Sequence, residues 1–170
     1  QMCIRDSLYS ATEHKCVINA SKTLAREIGL EAVALPVEKQ GILDLEVLER
    51  ELKKGPAIVS VMLVNNEIGT IQDIKKIHQI CSKFGALLHC DASQAPSFMD
   101  ITWLADSADS ISLSSHKMYG PMGIGALIAS PEIQRQFKPL AVGGGQEAGI
   151  RSGTVPLPLC VGFSEACKLV

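Results

Sequence analysis

The 170-residue chain has no window approaching the roughly 18 consecutive apolar residues that a membrane-crossing helix needs. Its six cysteines, at positions 3, 16, 81, 90, 160 and 167, include no C-x-x-C pair and follow no regular spacing, so they specify neither a disulfide framework nor a zinc site. Positive charge is not in surplus either. Sixteen Lys and Arg stand against 18 Asp and Glu, a formal net charge of -2, which removes the electrostatic basis for non-specific binding to nucleic acid or to an anionic membrane. The opening QMCIRDS lacks the basic-then-apolar pattern of a secretory signal. These absences together predict a cytoplasmic protein whose cysteines are reduced thiols, mostly small buried hydrophobes, with no nucleic-acid binding and no membrane contact. No internal repeat, low-complexity tract or Pro/Gly-rich linker divides the chain, and the length suits one domain of up to about 200 residues.

What is present alternates between two periodicities. Val17, Ile18, Leu24, Ala25 and Ile28 recur at helical spacing from about Lys15 to Ile28 and stop at Gly29. Residues 31–36 read as a short strand. Asp44 is a natural N-cap for a helix lined by Leu45, Leu48 and Leu52, closed by Lys53-Lys54-Gly55. Residues 57–64 form a near-continuous apolar run, as a strand covered on both faces requires. Asp73 opens a helix with Ile74, Ile77, Ile80 and Cys81 inward. Strands follow at 86–89, 110–113 and 124–129, and a last helix at about 158–169. Strands separated by helices of ten or more residues predict an α/β fold, a mostly parallel sheet flanked by helices.

In such sheets ligands bind beyond the carboxyl ends of the strands. The segments expected there are Asn65-Asn66-Glu67-Ile68-Gly69, Asp91-Ala92-Ser93-Gln94 and Ser114-Ser115-His116-Lys117, all more polar than a simple connector needs to be. A partly desolvated lysine in a strand-end loop is a nucleophile towards a carbonyl. Neighbouring hydroxyls and backbone N–H groups hold a phosphate, and a strand-end Asp pairs with a protonated heteroaromatic nitrogen. Those three demands are what pyridoxal phosphate makes of a protein. Singly, each residue has a blander reading: Asp91 as a cap, Lys117 as a solvated charge. His89 beside Cys90 is a poor metal pair, because adjacent strand residues face opposite ways. Gly143-Gly144-Gly145 marks a backbone that bends sharply or approaches something closely.

The longer strings resemble the cysteine desulfurases of the class V aminotransferase superfamily, fold type I pyridoxal-phosphate enzymes. They are Val64-Asn65-Asn66-Glu67-Ile68-Gly69; His89-Cys90-Asp91-Ala92-Ser93-Gln94; Ser114-Ser115-His116-Lys117-Met118-Tyr119-Gly120-Pro121 with Gly123-Ile124-Gly125-Ala126-Leu127; and Gly143-Gly144-Gly145-Gln146-Glu147 leading to Arg151-Ser152-Gly153-Thr154. The resemblance covers roughly residues 8–170. It implies pyridoxal 5'-phosphate as cofactor, Lys117 as the Schiff-base lysine and Asp91 as partner of the pyridine nitrogen. Gln94 and Asn66 would approach the phenolic oxygen. His14 would stack on the ring and shuttle a proton, although a histidine just before a helix also reads as a surface cap. Ser114 and His116 would bind the phosphate, completed by Thr154 of a neighbouring subunit, which implies a homodimer. Arg151 is either an anion contact or a solvated charge. The implied reaction takes sulfur from L-cysteine, leaves L-alanine, and passes a persulfide to a sulfur-acceptor or scaffold protein for iron-sulfur cluster assembly or tRNA thiolation.

The family's catalytic cysteine lies well over a hundred residues beyond the lysine, and none of the six cysteines here occupies that place. The chain is therefore expected to be an internal part of a longer enzyme, mostly its large cofactor domain without the N-terminal segment and the C-terminal small domain, with residues 1–7 a leader foreign to the family. Ala148 stands where many relatives carry Arg, and Ser115 where many carry Gly or Ala. Rival readings are a selenocysteine lyase or another class V aminotransferase-type enzyme on the same scaffold, and a non-catalytic fragment. A nucleotide-binding domain fits less well, since Gly120-Pro121-Met122-Gly123-Ile124-Gly125 lacks the lysine of a phosphate loop.

Overall fold

The computed structural model describes residues 6–139 and 141–170. Six strands form one sheet: β1 (Asp6–Ser10), β2 (Glu31–Leu35), β3 (Ala57–Met62), β4 (Leu87–Asp91), β5 (Ser110–Ser114) and β6 (Gly125–Ala129). Helices α1 (Lys15–Ile28), α2 (Leu45–Leu52), α3 (Ile74–Lys83), α4 (Pro131–Gln134) and α5 (Leu157–Leu169) accompany it. The spatial order is β2-β1-β3-β4-β5-β6, with every neighbouring pair parallel except β5 and β6. The expected α/β architecture is thus observed.

The helix ends obey local chemistry. Asp44 Oδ1 accepts from the N–H groups of Glu46 and Val47 at 3.0 Å each, capping α2, and Asp73 Oδ1 caps α3 through Lys76 N at 3.1 Å. Gly29 ends α1 in the left-handed region at φ +74, with its N–H on the Ala25 carbonyl. Beneath the helices, Leu8 of β1, Val59 and Val61 of β3 and Leu88 of β4 meet Leu48, Leu52, Ile74 and Ile77 in one buried cluster. Leu24 and Ile28 of α1, at the right helical spacing, are 50% and 58% exposed. This helix lies over β1 and β2 at the sheet edge, where nothing among the described residues covers its outer stripe.

Two strands differ from the sequence reading. Nothing in the pattern of residues 6–10 announces β1, yet it pairs with both β2 and β3 and sits inside the sheet. It also takes in Asp6 and Ser7, the last two residues of the stretch expected to be a foreign leader; Gln1 to Arg5, and with them Cys3, lie outside the described residues. β6 runs antiparallel to β5, Ser110 opposite Ala129 and Ser114 opposite Gly125. The connection between them holds only a short 3-10 turn at Ser115–Lys117, too little for the helical crossover that a parallel partner requires. The triple glycine bends back onto its own loop: Cβ atoms at Gly143 and Gly144 would stand 3.0 Å from Ser152 Cβ and 2.9 Å from Gln146 Nε2.

Ser115 is fully buried, and its hydroxyl has no hydrogen-bond partner among the described residues. It packs against the Gly120 backbone so closely that a Cβ there would lie 2.3 Å from Ser115 Oγ. An unpartnered buried hydroxyl costs about 1–3 kcal/mol. Ser115→Ala is therefore expected to stabilise the chain by about 1 kcal/mol in denaturant titration, whereas Gly120→Ala destabilises it; a loss of stability in Ser115→Ala would show that the hydroxyl finds a partner.

Candidate active site

The carboxyl ends of β1, β3, β4 and β5 all open on one side of the sheet. There, at the end of β4, Asp91 Oδ1 accepts from Ser93 N at 2.9 Å, which fixes the carboxylate direction. At the end of β5, Ser114 leads into the 3-10 turn that carries His116 and Lys117, and Ser93 Oγ lies 3.5 Å from Ser114 Oγ, linking the two strand ends. Ser97 Oγ donates to the Lys117 carbonyl at 2.6 Å, tying the turn to the β4 loop. After it, Tyr119 adopts φ +60, a left-handed conformation that a bulky residue rarely takes. The β3 loop is held by Asn65, whose Oδ1 accepts from Glu67 N and Ile68 N at 2.9 Å each while its Nδ2 donates to the Thr12 carbonyl at 2.8 Å. That last bond brings the turn after β1 to the turn after β3.

From the β1 turn, His14 takes the capping role that the sequence allowed. It is the N-cap of α1: Nδ1 accepts from Cys16 N at 3.2 Å and lies 2.9 Å from Cys16 Sγ. With Nδ1 occupied as an acceptor, the proton of the neutral ring belongs on Nε2. The same histidine also lines a cavity of about 280 Å3, and Asn66, Asp91, Gln94, Ser114, His116 and Lys117 line it too. Seven of the expected site residues therefore converge on one space, from four separate strand ends. Thr154 and Arg151 do not; both are exposed in the loop before α5. Lys117, expected to be partly desolvated, is exposed at the rim instead, because its short turn projects past the end of β5 with no covering element among the described residues.

Sequence reasoning missed Ser93, Met62 and Cys16 in the cavity wall. Ser93 lay within a string already singled out. Cys16 could have been found from its place two residues after His14, on the first turn of the helix that His14 caps. The expectation of mostly buried thiols holds only for Cys81 and Cys90 among the five described cysteines, all free; Cys16 and Cys167 are exposed. Burial pushes the Cys90 thiol well above its ordinary range and Cys81 up to about 12, so neither is a nucleophile. His89 turns away from Cys90 and lies with Nε2 2.7 Å from Ser112 Oγ; burial lowers its pKa, against the pull of Asp91. No group of His, Cys, Asp or Glu among the described residues is arranged to hold a metal ion, and no helix among them is long and apolar enough to cross a membrane.

The sequence model of the class V aminotransferases matches residues 5–170. The chain belongs to that family. Within it, the chain is 48% identical over 159 residues to the cysteine desulfurase IscS of Ehrlichia chaffeensis, covering 93% of this chain and 38% of that protein. It is 46% identical over 159 residues to the mitochondrial cysteine desulfurase of Saccharomyces cerevisiae, covering 94% and 32%. A solved structure described as SspA in complex with cysteine superposes with a TM-score of 0.87 at 35% identity, over 96% of this chain and 47% of that one. The chain thus spans about a third of the length of these two curated relatives.

Class V enzymes depend on pyridoxal 5'-phosphate, and the donor set fits it. An amine for an aldehyde (Lys117) and a carboxylate for a pyridinium (Asp91) share the cavity with hydroxyl and imidazole donors for a phosphate (Ser114, His116). None of these groups is consumed by an ion pair among the described residues.

Proposed function

We propose that this chain forms the cofactor-binding part of a cysteine desulfurase, which converts L-cysteine and an enzyme thiol into L-alanine and an enzyme persulfide. The supporting observation is the convergence of His14, Asn66, Asp91, Gln94, Ser114, His116 and Lys117 on one cavity at the strand ends. When bound, the cofactor would supply an aldehyde reactive towards amines and an electron-withdrawing ring. Lys117 Nζ would be the amine that holds the aldehyde. Asp91 holds a proton on the ring nitrogen, its own orientation set by Ser93 N. Gln94 and Asn66 offer hydrogen bonds to the phenolic oxygen. His14 would face the ring, with Nε2 the nitrogen free to carry a proton, since Nδ1 is committed to the α1 cap. Ser114 and His116 hold the phosphate, and Thr154 of a second copy completes that site in a homodimer.

The sulfur leaves the substrate for a thiol, forming one S–S bond as the C–S bond breaks, and the persulfide serves an acceptor or scaffold protein for iron-sulfur cluster assembly or tRNA thiolation. Free thiols at all five described cysteines support a reducing setting such as the cytoplasm. Incubating the holoenzyme separately with L-cysteine and L-selenocysteine and measuring alanine tests the assignment. Alanine from cysteine, with one persulfide sulfur per alanine, is expected. Alanine from selenocysteine alone would make the enzyme a selenocysteine lyase instead.

A further inference from the structure

Glu13 has no part in the chemistry above, yet it lies under the cavity in an unusual state. It sits in the turn between β1 and α1 and is 6% exposed. One carboxyl oxygen, Oε1, accepts from Met62 N at the end of β3. The other, Oε2, is enclosed with no hydrogen-bond partner among the described residues. Met62 is the register partner of Asp91 across β3 and β4, so Glu13 grips the backbone directly beside the carboxylate that faces the cavity. Asn65 closes the same junction from the other side, through its bonds to the Thr12 carbonyl and, at 3.2 Å, to Met62 Sδ.

The titratable groups that face Glu13 are Asp91 and Cys90 of β4 and Cys16 of α1; no cation among the described residues is paired with it. A carboxylate buried with one hydrogen bond, one bare oxygen and an acid for a neighbour is strongly disfavoured against its protonated form. We propose that Glu13 works as a neutral carboxylic acid, a positioning residue that pins the end of β3 beside Asp91 and leaves Asp91 as the single carboxylate charge in the cavity wall. Burial first, and then the charge of Asp91, push the Glu13 carboxyl up to about 8, with the Met62 hydrogen bond acting in the opposite direction. Its proton is therefore held at neutral pH and lost in the mildly alkaline range, where a second negative charge arises behind Asp91 and the buried junction with Met62 is disturbed.

The inference rests on the proposed role of Asp91. Its test compares Glu13→Gln and Glu13→Ala holoenzymes between pH 6 and 9.5. Infrared difference spectra read the carboxylic C=O stretch, cofactor absorption reads the ring environment, and alanine release reads turnover. Glu13→Gln keeps the acceptor for Met62 N and adds no charge. It is expected to stay within about twofold of the parent at pH 7, while losing both the carboxylic stretch and the change in cofactor absorption near pH 8. Glu13→Ala, which removes the pin, is expected to lose about tenfold or more at pH 7. The proposal is overturned if Gln is as damaging as Ala at pH 7, if Gln prevents folding, or if the carboxylic stretch or the alkaline change survives in Gln. Should the parent release no alanine from cysteine, the desulfurase reading fails, and the infrared and absorption titrations still decide the state of Glu13.

Discussion

Lys117→Ala removes the visible absorption of the bound cofactor and lowers alanine formation by roughly 10^3-fold or more. The chain has other lysines, but Lys117 is the one that lines the cavity, and it is carried there on a turn fixed at both ends: Ser115 N bonds to the Ile124 carbonyl at 3.2 Å, and Gly120 N to the Ser115 carbonyl at 3.0 Å. No neighbouring amine takes its place without moving that turn. A loss of roughly 10^3-fold corresponds to about 4 kcal/mol of barrier, which is what a residue that both anchors the reactive carbonyl and passes it to the substrate is asked to supply. The measurement is an absorption spectrum of the purified variant beside a single-turnover alanine assay. Cofactor absorption unchanged in the variant would remove Lys117 from the anchoring role and with it the central assignment.

Asp91→Asn keeps the cofactor and loses roughly 10^2-fold or more in turnover. Asn preserves shape, and its Oδ1 still accepts from Ser93 N, so the local fold at the end of β4 survives. What changes is charge. A carboxylate beside the ring nitrogen favours the protonated ring, and the protonated ring withdraws electrons; a neutral amide in the same place gives the proton no reason to stay. Cofactor retention by absorbance, an unchanged far-ultraviolet circular dichroism spectrum and a reduced kcat are expected together. Unchanged turnover would show that Asp91 does not hold the ring proton.

Much of this site was legible because its chemistry is carried by short ordered strings. Asn65 to Gly69, Asp91 to Gln94 and Ser114 to Lys117 each follow an apolar run, and the rule that open parallel sheets bind beyond their strand ends directed attention to them. The N-caps Asp44 and Asp73 and the stop at Gly29 were equally visible, since a cap is a contact between residues two to four apart. The strand β1 was not. Its five residues, Asp6-Ser7-Leu8-Tyr9-Ser10, show no apolar alternation, and its place in the sheet is set by β2 and β3, which pair with it from about 25 and 50 residues away. Composition treats thiols alike and does not separate Cys16 from the other cysteines, whereas the first turn of α1 puts this one against His14 at the cavity.

By itself, the sequence determined which chemical groups are available and in what order they occur: an amine, a carboxylate, hydroxyls and imidazoles at the ends of apolar segments, in a chain of near-neutral net charge. Side-chain identity and spacing of a few residues suffice for that. Only the tertiary structure decided that seven of those groups face one cavity, that β6 turns back antiparallel, and that Glu13 is closed into a junction with no counter-ion among the described residues. Each of these depends on which distant segment becomes a neighbour, and burial, which sets whether a carboxyl keeps its proton, is a property of that neighbourhood and of no local pattern.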